Sequence, residues 1–349
     1  GNAKIADRSR LLDALSGLSF IEAENALALA WCRHQAFDLA AVETIQGEKA
    51  QAVKKSGFLD LVETQDTMDG VGGLENLKEW LRRRVRAYSQ EAKEYGILPP
   101  RGLLLVGPPG CGKSLTAKAV ARAWGLPLIR VDVGRVFRSL VGQSEENTRM
   151  AIQTAEALAP CVLWCDEIEK GLAGTGSSGV TDSGVTSRVF GSLLTWLSDK
   201  TAPVFVVATA NDVRKLEGTP ELLRKGRFDE IFAVDLPTHI ERANIFRIHL
   251  QKRKREADDF DLDAMAKAAE GHSGAEIEQA IMEGMFAAFD LGRGLETKDI
   301  TAAIQATVPL SVTMKETIQR VRSWAKLRAR AAAAGDELVP LPDERRMYG

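Results

Sequence analysis

Between residues 101 and 236 the chain alternates short, wholly apolar runs with longer helical segments. The runs are "GLLLV", "LPLIRVD", "CVLWCD", "PVFVVATA" and "IFAVDL". A strand buried on both faces shows no polar alternation, so this order predicts an α/β fold, a parallel sheet with helices on both faces. Residues 5–55 instead carry helical spacing with little β-branching: Leu11, Leu12, Leu15 and Leu18, then Ala26, Leu27, Ala30 and Trp31. The polar stretch "VETQDTMDGVGG" marks the first domain boundary. From about 238 onward only helical patterns occur, which predicts a small all-α domain. The division is a helical segment at 1–60, an α/β domain at 61–237, a helical domain at 238–330 and a C-terminal tail at 331–349. The Gly/Ser/Thr-rich segment Gly171–Ser187 predicts a mobile loop. "TMKETIQRVRSWAKLRARAAAA" predicts an amphipathic helix with Ile318, Val321, Trp324 and Leu327 near one face. Packing on its own or a neighbouring domain is the favoured use of that face, with a membrane or partner surface as the alternative. The last fifteen residues read as a tail or an extended strap.

Composition narrows the choices. With 349 residues and 45% hydrophobic content the chain can build several cores. A net charge of −2 offers no global positive field to nucleic acid or an anionic membrane, and no apolar run is long enough to cross a bilayer. Cys32, Cys111, Cys161 and Cys165 fit neither a disulfide framework nor a zinc pattern, which suits a reducing, cytoplasmic setting. The opening "GNAKIADRSR" has no initiator Met and no signal-peptide core, so it reads as a processed or truncated start.

The chemistry begins at "GLLLVGPPGCGKSLTAKAVA". Here G-x-x-x-x-G-K-S follows an apolar strand and opens an Ala-rich helix, the context of a phosphate-binding P-loop. Its cradle runs through Gly107, Pro108, Pro109, Gly110, Cys111, Gly112, Lys113, Ser114 and Leu115. Glycines let successive N–H groups converge on phosphate oxygens, and the helix N-terminus adds its positive end. Lys113 would reach the β- and γ-phosphates of ATP, and the Ser114 hydroxyl would hold Mg²⁺. "CVLWCDEIEK" places Asp166 and Glu167 at the carboxyl end of a buried strand, where open α/β sheets bind ligands. Asp166 would hold the Mg²⁺ shell and Glu167 would take the proton of an attacking water. "VFVVATAND" ends in Asn211, whose amide can bridge the γ-phosphate and that water.

In order and spacing these pieces resemble the AAA ATPases, and "PELLRKGRFDEIFAVDLP" is similar to the arginine-bearing segment of that family. The resemblance covers nearly all of residues 69–325. It implies a P-loop domain with a five-stranded parallel sheet followed by a helical lid. It also implies that Arg224 and Arg227 are arginine fingers aimed at a neighbour's nucleotide. "DGVGGLENLKEWL" resembles the motif whose backbone near Val71 and Gly72 contacts adenine. "IFRIHL" puts His249 at the lid histidine, and "GHSGAEIEQAI" puts Gly274 and Ala275 beside the nucleotide. Within the family, "ENALALA", "RVFGSLLTWLSDK" and "IQRVRSWAKLRAR" are similar to the ATPases of cyanobacterial and algal-plastid genomes known by a conserved plastid reading frame.

The resemblance further implies a ring, a hexamer, with ATP between copies. The segment corresponding to the family's pore loop is Leu140, Val141 and Gly142, where a leucine stands at the aromatic position. Leucine offers apolar area to grip a chain but lacks a flat, stiff ring. Two functions therefore stay open: remodelling of an unidentified protein partner, and an ATP-driven assembly scaffold without threading. A nucleic-acid motor rests only on "QKRKRE", a basic helix end that is better read as solvated. Finally, "GLSFIEAENAL" echoes "GHSGAEIEQAI" position by position in Gly, Ser, Glu and Ala. Residues 1–60 accordingly read as the lid of a degenerate upstream AAA-like module, with Phe20 and Ile21 in place of the Gly-Ala pair.

Overall fold

The computed structural model describes residues 8–15, 18, 20–55, 57–137, 143–172, 183–224 and 226–335. At its centre are seven strands: β1 (Leu59–Val62), β2 (Gly102–Val106), β3 (Leu128–Val131), β4 (Cys161–Cys165), β5 (Val204–Ala210), β6 (Glu230–Ala233) and β7 (Arg330–Ala331). Their spatial order is β1-β3-β4-β5-β2-β6-β7. The five apolar runs of the sequence are the parallel neighbours β3, β4, β5, β2 and β6. The expected five-stranded sheet is thus the middle of a wider one. β1 pairs antiparallel with β3, and β7 pairs parallel with β6. Neither edge strand shows as an apolar run, since an edge has one neighbour and one open side. Only Leu59 of β1 is buried, and both residues of β7 are exposed.

Alternate side chains of each strand leave on opposite faces, and both faces are dry. On one side Leu104, Ile129, Leu163 and Val206 pack under Phe190, Leu194 and Leu197 of the helix Ser183–Asp199. On the other, Leu103, Leu105, Val162 and Phe205 meet Val120 of the helix Lys113–Trp124 and Trp80 of the helix Glu75–Arg82. Cys161 and Cys165 are buried in the first of these layers as small apolar groups.

The helices His239–Lys252, Leu262–Ala268, Gly274–Asp290 and Thr297–Gln305 enclose a separate core around Phe246, Met265, Ile277 and Ile300. Two of them start in reciprocal capping boxes, Thr238 with Glu241 and Ser273 with Glu276, which satisfy otherwise orphaned N–H groups. The helix Lys315–Arg328 does not stay with this lid. It returns to the α/β body, where Val321, Trp324 and Ala325 join the core beneath the sheet and Arg322 pairs with Asp235 at 2.7 Å. Its apolar face is spent there, and Leu327, read onto that face, is 81% exposed. The chain then forms β7, and Leu77 N–H donates to Ala332 O at 3.2 Å, so the first residues of the expected tail are a strand and strap. At the other terminus the helices Arg8–Leu15, Phe20–His34 and Leu39–Lys55 pack around Leu11, Ala26, Ala30, Ala41 and Ile45. Among the described residues no helix is long and apolar enough to cross a membrane.

If Trp324 anchors the returning helix, Trp324→Ala should lower unfolding stability by about 3–5 kcal/mol in a denaturant titration. Leu327→Ala should stay within about 0.5 kcal/mol of the parent.

Candidate active site

Because β2 lies between β5 and β6 with β4 one place further, the carboxyl ends of β2, β4 and β5 open side by side. The loop after β2 turns through Gly110 and Gly112, at φ 76° and 88°, and feeds the helix beginning at Lys113. Gly110 is required twice over, by its left-handed backbone and by space. A Cβ there would stand 2.9 Å from Ser273 Oγ and 3.1 Å from Ala275 Cβ of the lid. The same contact is a hydrogen bond, Ala275 N–H to Gly110 O at 3.0 Å, so the start of the helix Gly274–Asp290 closes directly on the P-loop.

Between loop and lid lies a cavity of about 570 Å³. Val71 and Gly72 line it with Pro109, Gly110, Cys111, Gly112, Lys113, Ser114 and Leu115, and so do Asp166, Glu167, Asn211, His249, Gly274 and Ala275. Gly107 and Pro108 lie beneath: their carbonyls accept from Lys113 Nζ at 2.8 and 2.6 Å. Burial pulls the Lys113 ammonium down to about 8, against the attraction of Glu169, Asp166 and Glu167. Cys111 lends the loop its backbone, while its side chain packs against the small cluster of Leu236 and Ile318 and burial pushes its thiol up to about 12.

The acidic pair is tightly organised. Asp166 Oδ1 accepts from Ser114 Oγ at 3.0 Å and from Thr209 Oγ1 at 2.6 Å, and Thr209 Oγ1 in turn accepts the Glu167 N–H at 2.9 Å. Glu167 adopts φ 51°, a costly backbone for a non-glycine residue that this hydrogen-bond frame holds in place. Asn211 Nδ2 donates to Glu167 Oε1 at 2.9 Å, and Lys170 pairs with Glu167 Oε2. Glu169 lies behind them, accepting the Asn211 N–H at 2.9 Å, and burial pushes its carboxyl up. The hydroxyl of Ser114 and the carboxylate of Asp166 form a hard-oxygen pair of the kind Mg²⁺ takes from a protein, the remaining positions going to water and phosphate.

At the far end the segment Val71–Leu74 is clamped to the lid. Glu241 Oε1 accepts the Leu74 N–H at 3.1 Å, and a Cβ on Gly73 would collide with that carboxylate. His249 lines this end 3.3 Å from Glu278; burial lowers its pKa, with Glu278 opposing. Arg224 and Arg227 stand outside the cavity. Arg224 is exposed, and Arg227 Nη1 is buried without a hydrogen-bond partner among the described residues. Leu140, Val141 and Gly142 lie outside the described residues. Sequence reasoning passed over Thr209, Glu169 and Glu241. Thr209 had a signal, the one hydroxyl inside the apolar run "VFVVATA".

Residues 103–236 match the ATPase family associated with various cellular activities (AAA). Residues 2–56 match the second domain of SpoVK-like AAA ATPases. The chain is 45% identical over 318 residues to the AAA domain-containing protein ycf46 of Pyropia yezoensis, spanning 91% of this chain and 64% of the relative. It is 43% identical over 316 residues to ycf46 of Guillardia theta, spanning 90% and 62%. Against a cell division cycle protein 48 homolog of Archaeoglobus fulgidus it is 37% identical over 263 residues, 73% of this chain and 35% of the relative. The chain therefore spans a little under two thirds of the length of the ycf46 relatives.

The depressed Lys113 pKa sets a pH test. Near pH 9 the free site holds Lys113 mostly neutral, and an incoming phosphate favours the ammonium, so binding of an ATP analogue should take up a proton. At pH 6.5 Lys113 is already charged and that uptake should vanish. Calorimetry in two buffers of different ionisation enthalpy measures it, and Lys113→Ala should abolish it together with binding.

Proposed function

The chain contains an AAA ATPase domain in residues 103–236, and from that premise we propose that it is a magnesium-dependent ATP hydrolase working as a ring of six copies. In this reading it remodels or disassembles a protein partner, in the cytoplasmic setting its reduced cysteines suit. The observation that carries the chemistry is the Asp166–Glu167 pair at the end of β4, which shares the cavity with Lys113, is bonded directly to Ser114 and is braced by Thr209 and Asn211.

The triphosphate would lie along the Gly107–Gly112 loop. There the Lys113 ammonium would exchange the Gly107 and Pro108 carbonyls for β- and γ-phosphate oxygens. Ser114 and Asp166 would hold Mg²⁺, which supplies charge neutralisation at the phosphates. Glu167 would accept the proton of the attacking water as its oxygen bonds to the γ-phosphorus and the bond to the β-phosphate oxygen breaks, giving ADP and phosphate. Asn211 holds the carboxylate oriented for that transfer. Arg224 and Arg227, outside their own cavity, fit a role on the nucleotide of a neighbouring copy. A guanidinium there would neutralise charge spreading over the γ-phosphoryl oxygens. Adenine would lie at the end of the cavity lined by the Val71–Gly72 backbone, Ile245 and His249.

Leucine at position 140 favours a second reading, an assembly scaffold whose closure on ATP is the signal and which threads nothing. For residues 1–60 the match of 2–56 to a SpoVK-like second domain supports the lid of a degenerate AAA-like module. Its helix opens on Phe20 and Ile21, 83% and 69% exposed, where the later helix opens on Gly274 and Ala275. Such a lid binds no nucleotide, so the full chain with Lys113→Ala should bind no ATP analogue at any site.

Two variants test the ATPase reading. Arg227→Ala should keep ATP binding within about threefold and lose at least about 10³-fold in turnover, the range of a supplied arginine finger. Near-normal hydrolysis would remove the finger assignment. Glu167→Gln should bind ATP without consuming it and retain its protein partner through a pull-down. Capture of nothing but itself would favour the scaffold.

A further inference from the structure

The lid is hydrogen-bonded to the body at both ends of the cavity. At the P-loop end the Ala275 N–H donates to Gly110 O at 3.0 Å. At the other end the lid uses a side chain, Glu241, and the body offers residues 71–74. Those four residues include two successive glycines, and the contact needs both. A Cβ on Gly72 would stand 2.5 Å from Ile245 Cγ1, and one on Gly73 would collide with the Glu241 carboxylate. The lid helix His239–Lys252 therefore presses directly on bare backbone.

Glu241 divides its two oxygens between two helices. Oε2 accepts the Thr238 N–H at 3.0 Å, part of the capping box that starts the lid helix. Oε1 accepts the Leu74 N–H at 3.1 Å, at the start of the helix Glu75–Arg82. Leu74 sits there at φ 61° and ψ 37°, a left-handed backbone that its Cβ makes costly, and its side chain caps nothing. The bond to Glu241 holds it in that conformation. The helix it opens belongs to the body. Leu77, Trp80 and Leu81 are buried against the sheet, and the C-terminal strap accepts two more bonds. The Leu77 N–H donates to Ala332 O and Asn76 Nδ2 to Ala331 O, each at 3.2 Å.

We propose that Glu241 is a positioning residue for the base end of the nucleotide. By holding Leu74 it sets the backbone of Val71 and Gly72 against the lid at the spacing that adenine fills. The inference rests on the ATP reading given above and divides binding into two parts. The phosphates are gripped through the P-loop, where Ala275 keeps the lid closed. The base is gripped only while Glu241 holds Leu74. Breaking the second contact leaves the first intact, because the two share no residue.

The test compares two ligands in the full chain with magnesium, ATP and inorganic tripolyphosphate, which has no base. Calorimetry gives both affinities. Glu241→Ala should bind ATP at least about tenfold more weakly, the scale of one hydrogen bond to a carboxylate, and tripolyphosphate within about twofold of the parent. Its turnover at saturating ATP should stay within about twofold, so that the loss falls on KM and not on kcat. Glu241→Gln keeps an acceptor for the Leu74 N–H and should recover ATP affinity to within about threefold of the parent. Thr238→Ala removes the capping hydroxyl but not the bond to Leu74, so both affinities should stay within about twofold while the helix loses stability. ATP bound as tightly by Glu241→Ala as by the parent would overturn the positioning role and leave the nucleotide reading standing. Equal losses for ATP and tripolyphosphate, or the same ATP loss in Thr238→Ala, would overturn it in favour of general support of the lid. A parent that binds neither ligand would overturn the nucleotide reading itself.

Discussion

A parallel sheet covered on both faces leaves a charged side chain only its ends, and the rest of this molecule follows from that restriction. β2, β4 and β5 are apolar along their lengths, so the phosphate loop, the Asp166–Glu167 pair and Asn211 all fall at one carboxyl edge. Thr209 is the instructive exception, a hydroxyl in a buried strand that is tolerated because it both donates to Asp166 and accepts from Glu167. It links adjacent strands through the two residues of the acidic pair. The strained backbone of Glu167 persists on that support.

At the cavity the lid meets the body through two hydrogen bonds, with Ile245 packed on Gly72 beside them. Ala275 N–H on Gly110 O and Leu74 N–H on Glu241 are single hydrogen bonds, each net worth about 1 kcal/mol, more where a carboxylate accepts. Such a closure can respond to a ligand, because bonds of that size are comparable with what one phosphate contact supplies. By contrast, Val321, Trp324 and the Arg322–Asp235 pair tie the chain beyond the lid firmly back to the sheet. The lid is thereby tethered at both of its ends to the body on which it closes.

Much of this was legible in the residues alone. The five apolar runs became five neighbouring parallel strands, since double burial removes polar alternation. The G-x-x-x-x-G-K-S segment became a loop and helix start, since glycines at 110 and 112 tolerate a positive φ. The edges were not legible: β1 reads "LDLV" within a polar boundary and β7 is two exposed residues. Their pairing comes from open hydrogen-bonding groups on β3 and β6, which leave no hydrophobic signature. Glu241 was hidden for a related reason, because its bond to Leu74 spans 167 positions of the chain.

Local sequence sets which side chains form the glycine-rich loop and the strand-end acidic pair, because both are arrangements of neighbouring residues. It determined the layered α/β architecture for the same reason, through periodicity. Tertiary structure alone decided how those groups are aimed: Lys113 onto the loop carbonyls, Asp166 shared between Ser114 and Thr209, Arg227 outside its own cavity. It alone decided that the last long helix returns to the sheet, while Phe286 and Phe289 of the lid stay in water. Amphipathic spacing states that a face is apolar. Which surface covers it depends on contacts between residues far apart in the chain.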